Sequence, residues 1–362
     1  MVKLSSQERK RIVLFFDDVA HIGRERSLSE FFVIFRILSG SSISCKAAIY
    51  PGVENFGTCF DILNDATVID VSRDETSKYF TPLFLDVIKA RYKNLLDTDQ
   101  TDGINKEDSA KFLGRYVIGN MRAFVYLCNK IQFEKKIGLN ELTNSLLYLS
   151  SDYYWPLVEE LAPKLGNYEP LIETGRKLAE KIFGVAGKSE SASVIIHSEL
   201  VRKFQKPFEL LEYTGFVSRR EASRAMKSGG RGSRFSLNLC NLLEIAEGKK
   251  LTQERFYKWL NNGTIPAEIH ANSNVLDIEV PEMPYDEMEK LPVLSLPVDK
   301  LAKSKVYPYG LTPDKIDVLK DNNITTIEEL AESSDETLLS VQGIGEKFLK
   351  RIRDVVGQAI WM

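Results

Sequence analysis

The chain has 362 residues, 43% of them hydrophobic and 27% charged, with a formal net charge of −3. That length carries two or three domains with full apolar cores, and no apolar run reaches the roughly 20 residues that a membrane span takes. The first residues, with Lys3, Glu8, Arg9, Lys10 and Arg11, lack the apolar segment of a signal peptide, and Cys45, Cys59, Cys128 and Cys240 form no close pair suited to a disulfide framework or a zinc site. The expectation is a cytoplasmic protein with no membrane partner.

In chain order, Ile12-Val13-Leu14-Phe15-Phe16-Asp17-Asp18 comes first. Five successive apolar residues between a basic cluster and two carboxylates read as a strand buried on both faces, as in a parallel sheet covered by helices. Asp17 and Asp18 then stand at the strand's C-terminal end, where open α/β sheets place ligand chemistry. Carboxylates there suit Mg²⁺ held through water and activation of a water for attack on phosphate. The equal alternative is that Asp17 or Asp18 caps the segment that follows.

Leu28, Phe31, Phe32, Phe35 and Leu38 recur at helical spacing, closed by Gly40. Cys45 to Tyr50 reads as a second strand stopped by Pro51-Gly52, Val53 to Leu63 as a short helix, and Ala66 to Val71 as a third strand. Such alternation implies right-handed crossovers and a parallel sheet. From Thr81 to about Tyr148 the pattern is helical, with one stripe at Leu83, Phe84, Val87, Ile88 and Tyr92 and another at Phe112, Leu113, Tyr116 and Val117, then a helix over Phe124 to Ile131.

The run ending in Asp17-Asp18 resembles a Walker B element, and with the strand ending in Ile49-Tyr50 and the helical lid, the order is similar to the later part of an AAA+ ATPase. Gly119-Asn120-Met121-Arg122 resembles the sensor 2 motif, which implies that Arg122 reaches a nucleotide γ-phosphate; physically this needs a fixed guanidinium on a mobile lid. Ile49-Tyr50, at the sensor 1 place, lacks the usual polar residue. The P-loop G-x-x-x-x-G-K-[ST] is not found in the sequence. In the family that strand lies between those corresponding to 45–50 and 66–71, so the sheet lacks its middle and exposes unpaired edges. Three explanations stay open: a start placed too late, a missing half supplied by a second chain or protein partner, and a degenerate ATPase. ATP and Mg²⁺ (the latter at Asp17) are implied only together with a P-loop segment, and alone the chain is expected not to hydrolyse ATP.

Leu171 to Phe183, Val194 to Phe204 and Phe208 to Tyr213 read as three amphipathic helices, the last closed by Gly215. A hairpin follows with a Gly-rich tip, and residues 216–236 hold six basic side chains, Arg219, Arg220, Arg224, Lys227, Arg231 and Arg234, against one acid, Glu221. Three helices and such a hairpin resemble a winged helix. The cations suit phosphate contacts, and an arginine at a wing tip can enter a minor groove. Lid then winged helix is the order of origin-recognition-type ATPases, and the resemblance covers roughly residues 10–245.

Glu254 to Asn261 adds a short helix, and the Pro-rich, acidic residues 263–308 read as an extended linker, partly docked. The segment 309–362 reads as a compact helical module: Thr312-Pro313 opens a helix, Thr326 and Glu329 form a capping box, and Gly343-Ile344-Gly345 turns into a helix over Glu346 to Trp361. This resembles a helix-hairpin-helix and is similar to the C-terminal domain of the RNA polymerase alpha subunit. Gly343 and Gly345 would expose backbone N–H groups at a helix N-terminus to a phosphate, flanked by Lys347, Lys350, Arg351 and Arg353, with Glu346 opposing them.

The expected fold is therefore multidomain and mainly α. It comprises an incomplete parallel α/β part over 1–80, a lid over 81–150, a winged helix over 151–262, a linker over 263–308 and a helix-hairpin-helix over 309–362. The expected function is that of an origin-recognition-like, AAA+-derived protein that binds double-stranded DNA; the alternative is a nucleotide-independent adaptor that uses both modules on other proteins.

Overall fold

The computed structural model describes residues 12–20, 25–50, 56–57, 59–162, 165, 168–245, 247–261, 265–282, 292–305 and 307–361. The chain is mainly helical with small sheets. It divides into two compact units, one of Met1–Ile69, Glu159–Pro170 and Glu282–Met362, the other of Asp70–Val158 and Leu171–Pro281.

In the first unit, β1 (Ile12–Ala20), α1 (Glu25–Leu38) and β2 (Ile43–Ile49) form a β-α-β element whose two strands pair in parallel. The helix lies on one face of the pair because Leu28, Phe32 and Phe35 turn to it at helical spacing. Phe16 meets Phe31 edge-on at 5.2 Å, and Phe60 closes against Phe32 at 4.7 Å. The other face is uncovered, with Val13 45% and Phe15 80% exposed. This corrects the sequence expectation of a strand buried on both faces: among the described residues no helix covers the second side of the apolar run. Two further expectations differ from the structure. Ala66 to Val71 forms no strand, and of the helix over 53–63 only the turn α2 (Ile62–Asp65) appears among the described residues, residues 51–55 and 58 lying outside them.

The C-terminal module belongs to the same unit. Helices α14 (Pro313–Asp321), α15 (Ile327–Glu332), α16 (Asp335–Ser340) and α17 (Glu346–Trp361) surround a core of Leu319, Leu330, Leu338, Ile344, Ile352 and Val355. The capping box forms as the sequence indicates, Thr326 Oγ1 accepting from Glu329 N–H while the Glu329 carboxylate accepts from Thr326 N–H.

In the second unit, α3 (Phe80–Arg91), α4 (Lys93–Asp97), α5 (Lys106–Tyr116), α6 (Met121–Ile131) and α7 (Leu139–Leu149) follow the predicted helical stripes. The short strands β3 (Asp99–Gln100) and β4 (Lys136–Ile137) pair between them. After α8 (Trp155–Leu161) and α9 (Pro170–Lys188) comes β5 (Ser193–His197), not the start of a helix. Val194-Ile195-Ile196 is a β-branched run, which favours the strand over the helix expected across 194–204. Only α10 (Ser198–Lys203) of that helix remains, followed by α11 (Gln205–Thr214) and the hairpin strands β6 (Val217–Ala225) and β7 (Arg231–Leu237). After α12 (Leu239–Ile245) and α13 (Gln253–Leu260), β8 (Ala267–Ile269) leaves the linker to join the sheet, whose order is β6-β7-β5-β8.

The N-terminal β-α-β element makes a differential prediction. Phe32→Ala should destabilise that element by about 3–5 kcal/mol, whereas Phe15→Ser, on the uncovered face, should change its stability by no more than about 0.5 kcal/mol. Chemical denaturation followed by fluorescence compares the two.

Candidate nucleic-acid interface and the ion pair beneath it

The hairpin of β6 and β7 turns at residues 226–230, where Gly229 N–H donates to Met226 O at 3.1 Å and Met226 N–H to Gly230 O at 3.2 Å. Gly229 and Gly230 have φ of +91° and +77°, the left-handed region that glycine enters without penalty. A side chain at Gly230 would also strike the imidazole of His197. His197 stands at the end of β5, and its Nδ1 accepts from Glu199 N–H at 3.4 Å at the start of α10. The tip is therefore braced on the strand next to the hairpin.

The six basic residues of the segment separate into two groups. Arg224, Lys227 and Arg231 are exposed. Arg231 reaches across the hairpin, its Nε donating to Ser223 Oγ at 2.6 Å and its Nη2 to Ser223 O at 3.0 Å. Arg224 pairs with Glu221 at 3.0 Å, and Lys227 lends its backbone N–H to Glu268 of β8 at 3.1 Å, leaving its ammonium outside that contact. The other three turn inward. Arg234 bonds Glu221 through Nε at 2.6 Å, and the Arg219 guanidinium lies 5.7 Å from the Phe235 ring centre.

Arg220 is a correction to the expected DNA contacts. Its side chain is only 3% exposed and faces Glu75 with Nη2 2.8 Å from Oε2. The same nitrogen donates to the carbonyls of Arg73 at 3.2 Å and Ile118 at 3.3 Å. A guanidinium so committed cannot reach a phosphate without leaving a buried carboxylate behind.

Around this pair several segments of the unit meet. Glu75 Oε1 also accepts from Ser236 Oγ of β7. Asp74, next in the chain, accepts from Thr76 N–H and Oγ1 at 2.7 Å each; burial raises its pKa, but those bonds and the charges of Arg220 and Arg234 outweigh it and hold the carboxyl below its usual range. Ile118 follows α5 with φ of +46°, in the place where a helix end ordinarily takes glycine. Gly119 N–H donates to Gly114 O at 3.0 Å and Ile118 N–H to Arg115 O at 2.9 Å, the double bond of a Schellman end. A β-branched residue is strained there, and its carbonyl is one that Arg220 holds. Arg115, in the last turn of α5, is buried, and desolvation lowers its pKa to about 10 against the opposing pull of Glu75. Sequence reasoning missed Glu75 and Arg115. Glu75 stands in a polar stretch without periodicity, and Arg115 looks like an ordinary helix cation; nothing in either neighbourhood marks a partner so distant in the chain.

In the C-terminal module Gly343 has φ of +98°, and Ile344 beside it plugs into the core. Gly345 O accepts from Phe348 and Leu349 N–H at 2.9 Å each, so the turn runs straight into α17, whose first N–H groups have no acceptor within the helix. Lys347, Lys350 and Arg351 are exposed there, together with Glu346. Arg353 instead clamps the module: Nε bonds Asp335 at 2.9 Å, Nη1 bonds Leu330 O at 3.3 Å, and Nη2 bonds Ser333 O.

The expected nucleotide residues do not converge within either unit. Asp17 is exposed on β1, where the register with β2 slips between Phe16 and Ala20, and the Asp18 side chain lies outside the described residues. Arg122 is exposed in the first turn of α6, in the other unit; its N–H donates to Asn120 Oδ1 at 3.0 Å. Among the described residues no group of three or more His, Cys, Asp and Glu side chains could hold a metal ion. Asp17 thus offers one carboxylate without a phosphate-binding loop beside it among the described residues, a set that does not fit a Mg²⁺–nucleotide. No family model, curated protein or solved structure matches this chain.

The buried pair and the exposed tip differ in what they contribute to stability. Arg220→Ala should destabilise the second unit by about 3–5 kcal/mol, since it strands Glu75, while Arg231→Ala should cost no more than about 0.5 kcal/mol. Thermal unfolding of the two variants beside the parent chain measures the contrast.

Proposed function

We propose that this chain binds double-stranded DNA as an origin-recognition-like relative of the AAA+ ATPases, through a winged helix and a helix-hairpin-helix. The observation that carries the proposal is the hairpin tip, where Arg224, Lys227 and Arg231 are exposed on a strand pair anchored from below by Glu75. Support for the winged helix comes from the element order α9, β5, α10, α11, β6, β7, with β5 pairing antiparallel to β7. The turn at Gly343–Gly345 with Lys347 and Lys350 supplies a second phosphate grip of the kind that positions a duplex without reading bases. ATP and Mg²⁺ enter this proposal only together with a P-loop segment from a second polypeptide.

One observation favours the adaptor alternative. Helix α11, which a groove-reading winged helix would insert into DNA, is largely buried and carries Glu209 and Glu212. The DNA proposal accordingly assigns contact to the wing and not to this helix.

Duplex binding followed by fluorescence anisotropy at increasing salt tests the proposal. Log affinity should fall linearly with log salt by about 0.9 per phosphate contact and vary little with sequence. Replacing Arg224, Lys227 and Arg231 together with Ala should flatten the slope by up to about 2.7, from three contacts at about 0.9 each. Negligible duplex binding at low salt would assign both modules to protein partners instead.

A further inference from the structure

We propose that the outer face of α6, with the turn that follows it, binds single-stranded DNA and that Phe133 stacks against one of its bases. Phe133 is 81% exposed, while every other phenylalanine of the second unit, from Phe80 to Phe256, is buried. A phenyl ring left in water forgoes the burial that the others gain.

The surroundings of Phe133 alternate between cations and aromatic rings. Arg122, Tyr126 and Lys130 follow one another at a spacing of four residues and so share one face of α6. Gln132 N–H still bonds Cys128 O at 3.0 Å, so Phe133 continues that course just past the helix end. Lys135 and Lys136 come next, both exposed. Tyr148 of α7 lies beside Tyr126, the two rings parallel to within 11° and their centres 6.4 Å apart, and Lys130 Nζ stands 4.2 Å from the centre of the Tyr148 ring. Tyr153, buried, supports Tyr126 at 5.4 Å. Against these four cations stand Glu134, which is exposed, Asp152, which is half-buried beside the Ser151 hydroxyl, and Glu141, which faces Lys136 at 3.9 Å.

The alternation selects the ligand. Cations alone suit any polyanion, and a duplex offers phosphates but keeps its bases stacked inside, which gives the Phe133 ring nothing to lie against. A single strand offers phosphates and bare π-faces together, and stacking on an aromatic side chain is indifferent to which base is present. From Arg122 to Phe133 the face runs about 16 Å at 1.5 Å per residue, room for several nucleotides. Arg122, Lys130 and Lys135 take backbone phosphates while Phe133 takes a base, and the Tyr148 ring holds the Lys130 ammonium in line. DNA is assigned over RNA because of the duplex reading of the hairpin, and that choice alone rests on it.

The test is fluorescence anisotropy of a labelled oligothymidylate with the full chain, beside a blunt duplex. Phe133→Ala should weaken oligothymidylate binding about tenfold and leave duplex binding unchanged. Phe133→Trp should preserve the affinity, and Phe133→Leu should resemble Phe133→Ala, because leucine keeps the apolar contact and loses the π-face. Arg122→Ala combined with Lys130→Ala should reduce the slope of log affinity against log salt by up to about 1.4, from two contacts at about 0.7 each. These positions are exposed, so the variants keep the fold. Absence of oligothymidylate binding at low salt, parent-like affinity in Phe133→Leu, loss only in the Arg224, Lys227 and Arg231 triple variant, or tighter binding of oligouridylate would each overturn the proposal. Oligothymidylate binding that depends on Phe133 in a chain that binds no duplex would support it and sink the hairpin reading instead.

Discussion

The second unit is organised around the buried contact between Arg220 and Glu75. Each ion is costly to bury alone, and together they leave few hydrogen-bonding sites unmet only because Ser236, Arg73 and Ile118 contribute the remainder. The contact fixes β6 to a segment some 145 positions earlier in the chain, and β7 joins through its serine. The hairpin therefore emerges from a rigid base, and its exposed cations are presented at fixed positions instead of on a loose loop. A rigid display loses less conformational entropy when a polyanion docks.

Strain and charge meet at the same place. Ile118 occupies a left-handed position that glycine would take without penalty, and the arginine from β6 holds its carbonyl. Such outliers persist where the surroundings over-determine them. The end of α5, the start of α6 and the base of the hairpin thus share one set of interactions, which places the helical segment and the hairpin sheet in a single compact unit.

Legibility in the sequence followed the range of the interactions. Local rules served well: the cap at Thr326, the glycine close at Gly215 and the Gly343 turn all form where residue type alone indicates. The apolar run at 12–16 identified a parallel strand but not its environment, because an apolar pattern reports what a strand tolerates on each face and not what covers it. Val194-Ile195-Ile196 was hidden inside a helical stripe since a short apolar run satisfies both periods. The inward turn of Arg220 was illegible, as six cations in one segment look alike until the fold assigns an acid to one of them.

The last strand of the sheet carries a mechanical implication. β8 is three residues long and runs parallel to β5, and the chain beyond it stays in the second unit through Pro281, with Leu276 and Ile278 buried. Glu268 of β8 holds the backbone of Lys227 at the hairpin tip. Loss of the β8–β5 pairing would therefore also free the backbone of the hairpin tip from its carboxylate.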